Sequence, residues 1–131
     1  MSASHMVPSD VFDRLMRQIH ERAHELPAGS YTTRLITGGV PAMGAKIQEE
    51  AAEVVEAAAA LQAAITAAGT PTAVEALAER QHLIYEAGDV VYHLWVLLGS
   101  FGVSVDDVRQ ELERREGTSG LEEKRRRSEL E

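Results

Sequence analysis

Apolar residues recur along this chain at every third or fourth position, and alternation of β-branched with polar residues is nearly absent. That spacing marks one face of an α-helix, because strands would need a period of two. Phe12, Leu15, Met16, Ile19, Ala23 and Leu26 trace an amphipathic first helix capped by Ser9 or Asp10, and the stretch Pro27 to Ser30 breaks it. A short helix over about Tyr31 to Thr37 is stopped by Gly38-Gly39, a C-cap signal. Pro41 opens a long helix to about Ala68, with Ile47, Ala51, Val54, Ala58, Leu61 and Ile65 as its apolar stripe. After Gly69-Thr70-Pro71, a capping box from Thr72 and Glu75 predicts a second long helix running to about Ser100. Its expected buried face includes Leu77, Ile84, Val91, Trp95 and Leu98. Gly102 and Ser104 set off a fifth segment, Val105 to Glu116, with a further capping box from Ser104 and Asp107. The stretch Gly117 to Gly120 ends it, and the mostly charged residues Leu121 to Glu131 read as a tail that is mobile or ordered by a partner.

The expected fold is therefore all-α: a helical bundle built on two long antiparallel helices with shorter flanking helices. The length suits one domain with one core. Residues 1–8 read as a leader, 9–117 as the domain and 118–131 as the charged tail. Both long helices are apolar over a broad sector, so the pattern predicts a homodimer in which a second copy completes the bundle.

Composition removes several functions. With no cysteine, disulfides, thiolate metal sites and thiol nucleophiles are all excluded, and a cytoplasmic location fits. A net charge of −8 argues against nonspecific nucleic-acid binding, which needs surplus Lys and Arg. No uninterrupted apolar run approaches the ~18 residues of a membrane span, and Met1 to Met6 do not form a signal peptide. An acidic protein acting on an acidic substrate needs cations between the two.

The first long helix carries Lys46, Glu49, Glu50 and Glu53. At about 100° per residue, Glu50 and Glu53 lie one turn apart on one flank of the apolar stripe, with Lys46 on that side and Glu49 farther round. The second long helix carries Glu86 and Asp89 at the same i, i+3 spacing, inside a strongly apolar stretch. A carboxylate there is costly unless it is paired or holds a metal. Two antiparallel helices can thus gather four carboxylates, which repel one another until hard divalent cations neutralise them. Oxygen ligands with few histidines suit Mg²⁺ or Mn²⁺ better than Zn²⁺. A salt-bridged helix surface would show the same spacing, so the spacing alone leaves both readings open.

The motif EExxE (Glu49, Glu50, Glu53) followed by ExxD (Glu86, Asp89) resembles the metal signature of MazG-type all-α nucleotide pyrophosphohydrolases. Further segments resemble one branch of that superfamily, the phosphoribosyl-ATP pyrophosphohydrolases of histidine biosynthesis. They are Gly29-Ser30-Tyr31-Thr32 with Arg34-Leu35, Lys46 ahead of the glutamate pair, Asp89 to Leu94, and Arg114 to Lys124 with its Gly-Thr-Ser-Gly. The likeness runs from about Val11 to Arg127. It implies hydrolysis of phosphoribosyl-ATP to phosphoribosyl-AMP and pyrophosphate, with Mg²⁺ (or Mn²⁺ in its place), in a helical dimer. It also implies Glu50, Glu53, Glu86 and Asp89 as metal ligands, and Glu49 as a water-orienting group or an occasional ligand. Glu49 and Glu50 become the catalytic candidates for taking the water's proton. Lys46 would contact phosphate, while Tyr31, Thr32, Arg34, Ser119 and Lys124 would hold the phosphoribosyl end. The basic run Lys124 to Arg127 would close over a phosphate from the same or the other subunit.

Two features depart from the family's pattern. The stretch between Glu53 and Glu86 is longer, around Ala64 to Glu79, and is expected to extend the helical hairpin away from the metals. Gly88 stands where a better helix former belongs, at a cost of about 1 kcal/mol, and suggests close helix approach. His82 and His93 fall on the flank of Glu86; a histidine on an apolar helix is more often a hydrogen-bonded core residue than a ligand. Tyr85, Tyr92 and Trp95 are at core spacing. Two other functions fit parts of the pattern: a house-cleaning pyrophosphatase for dUTP or damaged nucleotides, and a noncatalytic dimerisation module. Ser-Tyr-Thr and Gly-Thr-Ser-Gly count against the first, and Asp89 in its apolar setting against the second.

Overall fold

The computed structural model describes residues 10–70, 73–118 and 120–130, and all of its regular structure is helical. Helices α1 (Val11–Glu25), α2 (Tyr31–Thr37), α3 (Gly39–Ala68), α4 (Leu77–Ser100), α5 (Val105–Arg115) and α6 (Gly120–Leu130) follow in order, with a 3₁₀ turn Val74–Ala76 before α4. The leader 1–8, Ser9 and Thr72 lie outside the described residues.

Local chemistry sets most boundaries. The Asp10 carboxylate accepts the Asp13 N–H at 3.0 Å and caps α1, while Leu26 turns into the left-handed region at φ 47° to end it. Ser30 caps α2 by accepting the Thr33 N–H at 3.2 Å. The Ser104–Asp107 capping box at α5 forms in both directions. Gly69, at φ 88°, closes α3 with its N–H on the Ile65 carbonyl. The capping box expected of Glu75 does not open α4. Glu75 lies in the 3₁₀ turn, and α4 begins at Leu77 without a side-chain cap.

Helices α3 and α4 form the main packed pair, an antiparallel hairpin with Glu50 facing Asp89 and Ala57 opposite the turn that carries His82. The hairpin runs on from Glu53 to Ala68, roughly 22 Å of helix at 1.5 Å per residue, so the extra length does lie away from the carboxylates. Helix α1 crosses α4, and α2 bridges α1, α3 and α4. Met16, Ile19, Leu35, Met43, Trp95, Val96 and Val105 build the core where these meet. Each such side chain stabilises the fold by roughly 1.5–3 kcal/mol. The Trp95 indole N–H donates to the Phe12 carbonyl at 3.2 Å, and the His20 ring N–H to that of Val103 at 2.9 Å, so these two ring nitrogens beside the core are satisfied.

Several expectations are corrected. Leu77, Ile84 and Tyr85 are at least half exposed or nearly so, not buried, because α4 presents only one sector to α3 and α1. Ala51 and Ala58 of the α3 stripe are likewise exposed. A Cβ built on Gly88 meets nothing within 4 Å; the close approach on α4 is at Gly99 instead. Within the charged tail, Gly120–Leu130 forms α6, with no buried residue, tied to α5 by Arg114–Glu123 at 2.7 Å. By length and composition alone α3 is apolar enough to cross a membrane, although glutamates interrupt its alanines. Its most apolar window is only 6% buried within the chain, yet the same helix carries the buried Glu50 of the hairpin.

Candidate active site

The i, i+3 acidic pairs meet across the α3–α4 hairpin. One carboxylate oxygen each from Glu50, Glu86 and Asp89 lies within 4.8 Å of the others, the spacing of ligands around one small ion. Glu50 and Glu86 are only 6% and 7% exposed, and the Oε2 of each is buried without a hydrogen-bond donor. Orphaned buried carboxylate oxygens are rare because each forfeits its hydration. Their arrangement here fits a hard divalent cation with oxygen ligands.

Glu53 stands beside the three. Close contact with Glu50, then with Glu86, pushes its carboxyl up to about 7. Burial, reinforced by Glu50 and Glu86, raises Asp89 above the ordinary aspartate range. Lys46 supplies the local positive charge, 3.1 Å from Glu49 and 3.4 Å from Glu50. These contacts, that to Glu49 foremost, raise its ammonium and keep it protonated. Glu49 itself is exposed and faces Lys46, outside the three-carboxylate group. A groove of about 380 Å³ lined by Glu53, Glu56, Ala57, Ala60, His82 and Glu86 opens beside the cluster.

The α2 residues reach the same end of the hairpin. Tyr31 O–H pairs with His93 Nε2 at 2.9 Å, and the Thr32 hydroxyl with that of Tyr92 at 2.6 Å. The Arg34 guanidinium lies 5.8 Å from the centroid of the Tyr31 ring. Tyr31 is raised above the usual phenol range, mainly by burial, with Lys46, Glu50 and Glu49 close enough to contribute. The structure thus brings Tyr31, Thr32, Arg34 and Lys46 to the neighbourhood of the carboxylates. It does not bring Lys124 there. Lys124 is exposed on α6, whose packing on α3 or α4 is not substantial among the described residues, and Ser119 lies outside them.

Sequence spacing left two contributions unassigned. Tyr92, at core spacing, spends its hydroxyl on Thr32 and stacks against Tyr31 at 6.4 Å. His82, exposed at the groove's mouth, sits 3.5 Å from Glu86; its i, i+4 spacing was the available signal. His93 is buried and hydrogen-bonded at both ring nitrogens, as a core histidine should be.

Comparison with known proteins supplies the remaining finding. The family model described as phosphoribosyl-ATP pyrophosphohydrolase matches residues 12–116. The chain is 51% identical over 112 residues to the phosphoribosyl-ATP pyrophosphatase of Rhodopirellula baltica, covering 86% of this chain and 82% of that one. It is 36% identical to the enzyme of the same name from Dechloromonas aromatica, over 91% of this chain and 94% of that one. For the Pyrobaculum aerophilum enzyme the figures are 41%, 80% and 94%.

Proposed function

Because this chain belongs to the phosphoribosyl-ATP pyrophosphohydrolase family, we propose that its carboxylate cluster is where phosphoribosyl-ATP is hydrolysed to phosphoribosyl-AMP and pyrophosphate. This is a histidine-biosynthesis step, and the enzyme is a hydrolase acting on a phosphoanhydride. The observation that carries the site assignment is the convergence of Glu50, Glu86 and Asp89 oxygens within 4.8 Å, two of the residues having buried oxygens without donors.

Glu50, Glu86 and Asp89, with Glu53 beside them, would hold Mg²⁺, and Mn²⁺ would substitute. When bound, such an ion would supply charge neutralisation for the triphosphate and would lower the pKa of a water. The chain's own groups do the rest. Four carboxylates with one nearby lysine are electrostatically unfinished, so the site favours the cation–triphosphate pair over either alone. Glu50 and Glu86 push the Glu53 carboxyl up to about 7, and a bound cation would favour its ionised form. Glu49, exposed and hydrogen-bonded to Lys46, is free to orient a water or take its proton. Lys46, held protonated, is available to a phosphate oxygen on the same side. Val55 on α3 and Leu77, Ile84 and Tyr85 on α4 are exposed apolar side chains, and this supports a homodimer in which a second copy covers the hairpin. Lys124, exposed on α6, would reach the phosphoribosyl end only by a movement about Gly117, whose φ of 77° marks the turn before that helix. A cytoplasmic location fits such a nucleotide substrate.

A substrate panel tests this reading. Pyrophosphate release with phosphoribosyl-ATP, dUTP and the common triphosphates should favour the first by at least about 100-fold in kcat/KM. Preference for dUTP would instead make the chain a house-cleaning pyrophosphatase.

A further inference from the structure

His93 sits on the buried side of α4, one turn after Asp89, and both ring nitrogens are occupied. Nδ1 is 2.7 Å from the Asp89 backbone carbonyl. A carbonyl oxygen can only accept, so Nδ1 must carry the ring proton. In the neutral imidazole that leaves Nε2 with its lone pair, and Nε2 is 2.9 Å from the Tyr31 hydroxyl. The hydroxyl must therefore donate its proton to His93. A phenol has one O–H, so toward anything else Tyr31 presents only lone pairs.

The ring is held as firmly as the hydroxyl. Tyr31 stacks on Tyr92 at 6.4 Å and meets the His93 ring edge-on at 5.9 Å, while Arg34 covers its face. The Tyr31 side is nonetheless 41% exposed and lies on the Lys46–Glu50 side of the cluster. A fixed hydroxyl oxygen that can only accept, on a side chain that is partly exposed, is a poor partner for a phosphate, whose oxygens are themselves acceptors. It is a good partner for a hydroxyl.

We propose that His93 is a positioning residue that locks the Tyr31 hydroxyl as a hydrogen-bond acceptor, through which the site recognises a sugar hydroxyl of its substrate instead of a phosphate. This deepens the functional reading above and rests on it for the substrate. The arrangement of the Asp89 carbonyl, His93 and Tyr31 also ties the recognition residue on α2 to the helix that carries two of the carboxylates, so sugar position and cluster position are set together.

The test has an arm that does not depend on activity. In uniformly ¹⁵N-labelled full-length protein at pH 8, the His93 ring should be the Nδ1–H tautomer, and Tyr31→Phe should shift the Nε2 resonance while the Nδ1 resonance stays put. An Nε2–H tautomer, or no response to Tyr31→Phe, overturns the inference whatever the enzyme's substrate. With phosphoribosyl-ATP, Tyr31→Phe and His93→Leu should each raise KM about tenfold with kcat changed less than about threefold. The double variant should be no worse than either single one. His93→Gln, whose amide oxygen can accept from Tyr31, should recover most of the KM. Additive losses, or a fall in kcat with KM unchanged, would contradict a positioning role. Should phosphoribosyl-ATP prove not to be the substrate at all, the kinetic arm addresses the functional reading alone, and the tautomer arm still decides the hydrogen-bond inference.

Discussion

Gly99→Ala should destabilise this protein even though alanine is the better helix former. A Cβ built on Gly99 falls 2.5 Å from Ile19 Cγ2 and 3.1 Å from Met16 Sδ. Both neighbours are nearly fully buried, at 1% and 2% exposure, so neither can swing into solvent. Ile19 Cγ2 hangs directly from the branch point of a side chain on α1, and relieving the clash means moving α1 from α4. Overpacking of this kind costs about 1–3 kcal/mol, and a contact this short belongs at the upper end. Helix propensity returns about 1 kcal/mol. The net loss is about 2 kcal/mol, or roughly 6–10 °C in Tm for a chain of this size. Ile19→Ala alone should cost about 2–5 kcal/mol by leaving a cavity. The two together should cost about 1–2 kcal/mol less than their sum, since the new methyl fills space the isoleucine gave up. Urea unfolding at fixed protein concentration, with chelator present, measures all three. A Gly99→Ala protein as stable as the parent, or strict additivity in the pair, would falsify the close α1–α4 approach.

The remaining expectations concern charge and the tail. Glu53 is raised in the folded state to about 7 from about 4.5, so the cation-free protein binds its proton where the unfolded chain does not. Stability should therefore fall as pH rises from about 4.5 to 7, and Glu53→Gln should flatten that slope in chelator-treated thermal melts. Asp13 shifts the other way, lowered chiefly by its hydrogen bonds with Arg109 at 2.8 and 3.1 Å. Its contribution is present above the unfolded carboxylate pKa and is lost as pH falls through the folded value. Because Arg109 is 42% exposed, Arg109→Ala should lower stability only slightly in urea unfolding at neutral pH. Truncation after Glu116 should cut kcat/KM for phosphoribosyl-ATP more than tenfold while leaving weak ATP hydrolysis within about twofold; unchanged phosphoribosyl-ATP cleavage would make α6 a solvated appendage.

The parts legible in sequence are those governed by local chemistry. The α1 and α5 starts follow from Asp10 and Ser104 because a cap is a three-residue interaction. The meeting of Glu50 with Glu86 and Asp89 follows from helical period and an antiparallel turn, both readable without coordinates. What failed is what depends on which sector faces which neighbour. Leu77, Ile84 and Tyr85 look like core by composition, yet a two-helix hairpin buries only the sector turned inward. Gly88 looked like the close-packing glycine because of its odd setting among helix formers. Gly99 holds that role, which only the position of α1 reveals. The tail's helix was hidden because its charges suit solvent equally well as helix or coil. The pairing of Tyr31 with His93 spans 62 positions and carries no local signal.

On the proposed function, the α3–α4 carboxylates hold the cation on which hydrolysis depends. Calorimetric Mg²⁺ titration and pyrophosphate release, run on the parent protein and on Glu50→Gln, Glu86→Gln and Asp89→Asn, address it most directly. The parent should bind Mg²⁺ and turn over only with Mg²⁺ or Mn²⁺. Each variant should lose Mg²⁺ binding and at least about 100-fold in kcat, roughly 2.7 kcal/mol of transition-state stabilisation, while its far-ultraviolet circular dichroism stays unchanged. Full turnover in excess chelator, or parent-like turnover in any two of the variants, would contradict it.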